Sequence, residues 1–387
     1  MEVYMDNAAT TRVRDEVRDI MVKVMQEDYG NPSSKHTKGM EAEEYIDKAR
    51  EIIAGTLKCD RRNITFTSGG TEANNQALIG TALANERAGR HIVSTVIEHA
   101  SVHEPLAFLE SRGFEVTYLP VDSEGLVDAD VLKAAIRPDT TLVSVMFVNN
   151  EVGSVQDIAG LTTAAKAVNN KVIFHVDAIQ AYGKLRINPK KLGIDLMSVS
   201  GHKFLGPKGT GFLYHADNVR MLPYIYGGGQ EKGLRSGTEN VPGIAGLGAA
   251  AELAYKNLDA QTANMREIKQ YLIDELCKMD GTYINANAAN SAGTGAPHIL
   301  SVSFEGVKSE VLLHAIAADG VYVSSGSACS SNHPGLSGTL KAIGVENGLV
   351  DSTIRLSLSY YTTMEEAEYT VSVLAKHLPV LRRFKSY

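Results

Sequence analysis

Ser198-Val199-Ser200-Gly201-His202-Lys203 decides how the chain is read, because it sets a lysine just beyond a short apolar run, Ile194 to Val199, interrupted only by Asp195 and Ser198. Such a run reads as a buried strand, and Gly201 loosens the backbone before the glycine-rich Gly206-Pro207-Lys208-Gly209-Thr210-Gly211. An amine at a strand end is partly desolvated, which favours its neutral form and lets it attack an aldehyde. Read alone, Lys203 is more simply a solvated surface lysine.

A second run, Val172-Ile173-Phe174-His175-Val176-Asp177-Ala178-Ile179-Gln180, is β-branched and aromatic and ends on a carboxylate. Parallel strands of an open α/β sheet bring their carboxyl ends to one crevice, so Asp177 and Lys203 meet there if the two strands are neighbours. Pyridoxal phosphate needs that pair: a lysine for its aldehyde carbon and an acid for its ring nitrogen, which keeps the ring an electron sink. The competing role for Asp177 is a helix N-cap.

The phosphate of such a cofactor has a place in Asn63-Ile64-Thr65-Phe66-Thr67-Ser68-Gly69-Gly70-Thr71-Glu72-Ala73-Asn74, which reads as strand, glycine turn and helix start. Free backbone N–H groups and the helix dipole favour an anion there, and the Thr71 hydroxyl adds a donor, unless it only caps the helix. Gly206 to Thr210 lacks the spacing of a Walker sequence.

Length and composition frame these motifs. The 387 residues predict about two domains, on a prior of roughly 150 residues per domain. A net charge of -7 argues against a broad nucleic-acid surface. The start, Met1-Glu2-Val3-Tyr4-Met5-Asp6, lacks a secretory pattern, and no apolar run nears the roughly 18 residues of a membrane span, so a cytoplasmic protein is expected. Cys59, Cys277 and Cys329 are too few for a disulfide framework and too scattered for a common zinc pattern.

From about residue 45 to 215, apolar runs alternate with helical stretches, the pattern of a doubly wound α/β sheet. The predicted strands are Ile64 to Thr67, His91 to Thr95, Glu115 to Leu119, Leu142 to Val148, Val172 to Val176, Leu196 to Val199 and Thr210 to Tyr214. Glu41 to Thr56 and Ala129 to Ile136 carry helical periodicity. Beyond Gly243, the small-residue stretch Ile244 to Ala254 and the helix Ala260 to Met279 lead to a smaller domain with strands near Leu300 to Phe304, Val321 to Ser324 and Ile354 to Ser357.

Together these segments resemble the pyridoxal-phosphate-dependent cysteine desulfurases of the nitrogen-fixation and iron-sulfur-assembly type, in the class V aminotransferase family of the fold type I enzymes. The resemblance runs nearly end to end: Tyr4 to Thr11, Gly30-Asn31-Pro32-Ser33-Ser34, Thr67 to Glu72, Asn149 to Gly153, the Asp177 and Lys203 segments, Arg235-Ser236-Gly237-Thr238-Glu239-Asn240, and Ser324 to Ser330. It implies a large cofactor domain with a mainly parallel sheet flanked by helices at 15–255. A smaller α+β domain at 1–14 and 256–387 would carry the Cys329 loop. Lys203 is implied as the cofactor lysine and carrier of the substrate α-proton, with Asp177 at the ring nitrogen and His99 stacked on the ring. The resemblance puts Gln180 and Asn150 near the ring oxygen and Thr71, Ser200 and His202 at the phosphate, with Gly70 beside them. Thr238 would reach the phosphate site of a neighbouring subunit, implying a homodimer. Asn150 and Arg355 would hold the substrate carboxylate, a task suited to a planar guanidinium fork. Gly70 and Ile179 stand where relatives often carry Ala and Thr.

The remaining residues are weighed against simpler roles. His99 and His103 share a helix face, yet the His-Glu-x-x-His pattern of a metal site is absent. Arg355 alone reads as easily as a surface residue on an edge strand. Cys277, beside Leu276 in a helical stretch, reads as a small core residue, and Cys59 lies near a turn. Cys329 sits in a small, polar stretch, Ser324 to Gly335, expected to be an exposed, mobile loop, with His333 near enough in sequence to help lower the thiol pKa. The resemblance then implies that L-cysteine yields L-alanine while Cys329 takes the sulfur as a persulfide and passes it to an iron-sulfur scaffold or tRNA thiolation partner. It also implies Cys329 as a transient iron-sulfur ligand. A selenocysteine lyase, an ordinary aminotransferase and a cofactor-free scaffold stay open on the residues alone.

Overall fold

A computed structural model describes residues 1–286, 294–325 and 336–384, so Cys329 and His333 lie outside the described residues. Two sheets organise the chain. The larger contains β2 (Ile64–Thr67), β3 (His91–Thr95), β4 (Glu115–Leu119), β5 (Thr140–Met146), β6 (Ile173–Asp177), β7 (Leu196–Ser200) and β8 (Gly211–His215). Its order is β2-β8-β7-β6-β5-β3-β4. The run from β7 through β4 is parallel, and β8 lies antiparallel between β7 and β2.

These strands read as continuous apolar runs because the sheet is covered on both faces. Successive side chains alternate sides: Val93, Val143, Phe174 and Phe212 join one hydrophobic cluster, whereas Ile92 and Leu142 join a second. The first cluster packs against the helices Asp15–Gln26, Thr37–Leu57 and Val241–Lys256. The stretch Ile244 to Ala254, expected as a bridge between domains, is the middle of that last helix. Its small residues permit close packing, since a Cβ on Gly248 would lie 2.7 Å from the Ala49 Cα.

The smaller sheet is antiparallel, with β9 (Thr282–Ile284), β10 (Ile299–Phe304), β12 (Ser324–Ser325) and β13 (Thr353–Ser357) in the order β12-β13-β10-β9. The helices Leu258–Leu276, Ser309–Ala317 and Met364–Leu381 pack with it around a separate cluster that includes Leu300, Phe304, Ile354 and Leu356. The strand expected at Val321 to Ser324 is divided. β11 (Val321–Tyr322) pairs in parallel with β1 (Val3–Tyr4), whereas Ser324 and Ser325 pair with β13. Cys277 caps the helix Leu258–Leu276 and is exposed, contrary to its reading as core, because the helical periodicity ends one residue earlier.

The outer strand β2 is closed by an ion pair. The Glu231 carboxylate accepts from the Phe66 N–H at 3.0 Å and from both Arg50 terminal nitrogens at 2.9 and 2.7 Å, taking the place of a neighbouring strand. The Glu231 side chain is only 4% exposed. Arg50→Ala therefore strands a buried carboxylate and is expected to cost about 3 kcal/mol, read as a lower urea midpoint of unfolding.

Candidate active site

The carboxyl ends of β2, β7, β6, β5 and β3 open onto one edge of the large sheet, and a cavity of about 240 Å³ lies there. Gly70, Thr71, His99, Asn150, Asp177, Gln180, Ser200, His202 and Lys203 all line it, so the sequence-predicted cofactor residues other than Thr238 share one space. Ala8 closes it from the amino-terminal segment, and an adjoining cleft of about 580 Å³ shares Thr71, His99 and Ser101.

Each side chain is delivered by a strand end. In the parallel β6–β7 ladder Asp177 stands opposite Ser198, and the chain runs on through Ser200 into the tight turn Gly201–Lys203. The half-buried Lys203 Nζ donates to the main-chain oxygens of Ala8 and Ala9, both at 2.7 Å. The Asp177 Oδ1 accepts from the Ile179 N–H at 2.9 Å and Oδ2 from the Asn74 amide at 2.8 Å. Burial pushes the Asp177 carboxyl upward, while these donors and the His99 and Lys203 charges pull it back.

His99 caps the helix Ala100–Ser111, its Nδ1 accepting from the Ser101 N–H at 3.1 Å. Burial holds the ring below the usual imidazole range, so it is neutral near pH 7 with its proton on Nε2. The Gln180 amide donates to the Ala8 oxygen at 2.9 Å, and its Oε1 lies 3.3 Å from the buried His298 Nε2. The His202 Nδ1 is 3.2 Å from the Thr10 hydroxyl, and burial with the Lys203 and Lys208 charges depresses its pKa to about 4.

The donor set fits a flat, anionic aromatic aldehyde such as pyridoxal phosphate. One wall carries a lone carboxylate, the turn after β7 an amine, and the end of β2 a glycine turn with the hydroxyls of Thr71 and Ser200 beside it. A side chain on residue 70 would fill this cradle, because a Cβ there would lie 2.2 Å from the Ile179 Cδ1. The two departures from the family pattern noted in the sequence are thus in contact, a small residue facing a large one.

Arg355 is 3% exposed on an interior strand, which corrects its reading as a surface residue on an edge strand. Its Nη1 donates to the Asn150 oxygen at 2.8 Å and its Nη2 to the Asp6 carboxylate at 2.9 Å, so it stands behind the Asn150 wall. Thr238 is exposed in the loop before the helix Val241–Lys256 and does not line the cavity of its own chain. Sequence reasoning gave no role to Asn74, whose amide also reaches the Ser101 hydroxyl at 2.9 Å, or to Glu98. Asn74 stands in the helix start that follows the glycine turn, but nothing local points to its partner Asp177.

A family model for class-V aminotransferases matches residues 3–370. A protein named cysteine desulfurase IscS from Dictyoglomus turgidum is 44% identical over 387 residues, covering 100% of this chain and 97% of that protein. A protein of the same name from Methanosarcina thermophila is 43% identical, over 98% of this chain and 93% of that protein. A solved structure titled NifS-like protein superposes with a TM-score of 0.92 at 39% identity, covering 98% of this chain and 100% of that one.

Glu98, directly before His99, is fully buried. Its Oε1 accepts from the Thr95 hydroxyl and the Met146 N–H, both at 2.8 Å, and its Oε2 has no partner among the described residues. Burial raises its pKa from the usual 4.5 to about 8. A raised carboxyl pKa favours folding below 4.5, and that contribution is lost as pH rises toward 8. Over this window Glu98→Gln is expected to gain stability relative to the parent, by up to about 1.4 kcal/mol per pH unit in urea titrations.

Proposed function

The chain belongs to the class-V aminotransferases, pyridoxal-phosphate-dependent enzymes, and from that membership we propose that it is a cysteine desulfurase, converting L-cysteine to L-alanine with transfer of sulfur to Cys329. The observation that carries this reading is the convergence of Lys203 and Asp177, from neighbouring parallel strands, on one cavity. Full-length identity of 44% to a protein named cysteine desulfurase supports the choice of reaction. When bound, pyridoxal phosphate supplies an aldehyde carbon for amine condensation and a ring that takes up the electrons of a broken Cα–H bond.

The chain's own groups divide the remaining work. Asp177, its carboxylate held by two N–H donors, would pair with the ring nitrogen, and the neutral His99 imidazole would pack on the ring. Gly70, Thr71, Ser200 and His202 would hold the phosphate, while Asn150 and Gln180 would serve the ring oxygen. Lys203, whose Nζ reaches the cavity, would hold the cofactor through its aldehyde carbon and would be the base that carries the proton of the substrate Cα. Arg355 and Asn150 orient the substrate carboxylate.

Cys329 acts as a thiolate on the substrate sulfur. An S–S bond forms as the substrate Cβ–S bond breaks, the electron pair stays with the carbon skeleton, and protonation of that skeleton gives L-alanine. The persulfide then passes to an acceptor protein for iron-sulfur assembly or tRNA thiolation, with Cys329 a transient iron-sulfur ligand in such a complex. In this reading the enzyme is a cytoplasmic homodimer in which Thr238 of each chain serves the phosphate site of the other. The described residues contain no helix long and apolar enough to cross a membrane. The small domain comprises 1–14 and 256–387, and 15–255 form the cofactor domain.

Lys203→Ala is expected to abolish the visible absorbance of protein reconstituted with pyridoxal phosphate, measured by spectrophotometry. Cys329→Ala should keep that absorbance but lower sulfide and alanine formation from L-cysteine by at least about 100-fold. Parental turnover in the Cys329 variant would sink the persulfide assignment, and dependence on a 2-oxo acid acceptor would favour an ordinary aminotransferase.

A further inference from the structure

Lys184 is a buried ammonium that the steps above leave unused. It is 3% exposed, in the turn that follows β6. Its Nζ donates to the main-chain oxygen of Lys203 at 2.6 Å and lies 5.7 Å from the centroid of the Tyr360 ring. Among the described residues it forms no ion pair with a carboxylate. Burying an ammonium without an acid is costly, and a methionine of similar length would fill the same space without that cost.

The charged surroundings deepen the cost. Burial foremost, and then the charges of Lys184, Lys269, Arg355 and Lys203, hold the His298 imidazole neutral. Arg14 stands 5.9 Å from the same Tyr360 ring. The acids of this region are engaged elsewhere: Asp6 with Arg355, and Asp177 with the Ile179 N–H and Asn74.

We propose that Lys184 is a positioning residue for Lys203, fixing the catalytic turn through its carbonyl and placing a positive charge behind the amine that biases it toward the neutral, nucleophilic form. This rests on the reading of Lys203 as the cofactor lysine. A second cation beside a reactive lysine lowers that lysine's proton affinity, as desolvation also does. Burial and the Lys203 charge bring Lys184 itself down to about 7. The bias is therefore present below pH 7 and fades above it, as Lys184 loses its proton.

The test uses full-length protein loaded with pyridoxal phosphate and measures the pH at which the visible absorbance titrates. Lys184→Met and Lys184→Gln, which carry no charge, should move that midpoint up by roughly one unit. Lys184→Arg, charged at every accessible pH, should keep it at or below the parental value. Either kind of variant is informative if the other fails to fold. A parental midpoint in the uncharged variants, together with no lowering in Lys184→Arg, even with a lowered Tm, would assign Lys184 a purely structural role and overturn the proposal. Persistence of the absorbance in Lys203→Ala would instead overturn the reading of Lys203.

Discussion

The parallel pairing of β6 with β7, with Asp177 opposite Ser198, is the constraint on which the site depends. Side chains in a strand alternate faces, so a slip of one residue in this ladder would turn Asp177 out of the cavity. Because both strands are buried on both sides, their apolar residues fix the register strongly. Phe174 and Val176 belong to one cluster with Met197 and Val199, and Asp177 and Ser200 emerge only where the apolar pattern ends. The amine that follows is then tied to the carbonyls of Ala8 and Ala9. Those bonds draw the amino-terminal segment over the cavity; the same segment pairs with β11 through β1 in a two-stranded sheet and reaches the smaller sheet through the bridge from Asp6 to Ser357. One short turn thereby couples the two sheets.

Such an arrangement is bought with buried charge. Asp177 and Glu98 are carboxyls pushed upward by burial, and Lys184 and His298 are bases pushed downward. None of these is where a sequence optimised for stability alone would put it, since hydrophobic residues of similar volume pack more cheaply. Their concentration within and behind one cavity is what separates a functional interior from an ordinary core. Arg50 and Glu231 at the far edge of the sheet also form a buried pair, but theirs is complete, each partner answering the other and the edge of β2.

Strand positions in the large sheet were legible because burial on both faces writes them as unbroken apolar runs. Ends were less so. Leu142 to Val148 reads as a strand, yet the ladder covers Thr140–Met146, because Phe147 and Val148 stay apolar while leaving the sheet toward an isolated bridge with Val155. The helix Thr37–Leu57 begins before its apolar periodicity does, at a His36 cap. Lys203, Asp177 and the Gly70–Thr71 turn were legible because motif and strand end coincide. Asn74, Glu98 and Lys184 were not, for each owes its role to a partner far along the chain. Asn74 meets Asp177, Glu98 meets Met146, and Lys184 meets the Lys203 carbonyl, and no local pattern encodes such meetings.

Tertiary partners also explain why Arg355 is not the edge residue its strand alone implies. Pairing of β13 with both β10 and β12 buries it, and its guanidinium spans from Asp6 to the Asn150 carbonyl. Next to Asn150, the partly buried Glu151 accepts hydrogen bonds from the Ser337 and Thr339 hydroxyls. Burial raises the Glu151 carboxyl pKa, and these two donors and the Arg355 charge oppose that rise. Ser324 and Ser325, on the other side of Cys329 in sequence, pair with Arg355 and Ile354. The chain entering and the chain leaving the Cys329 segment are therefore fastened to Arg355 and Glu151, the two residues that adjoin Asn150. On the proposed roles of Cys329, Asn150 and Arg355, a segment whose flanks are anchored beside Asn150 suits the thiol, because the loop-closure entropy of bringing it there is already spent in the fold.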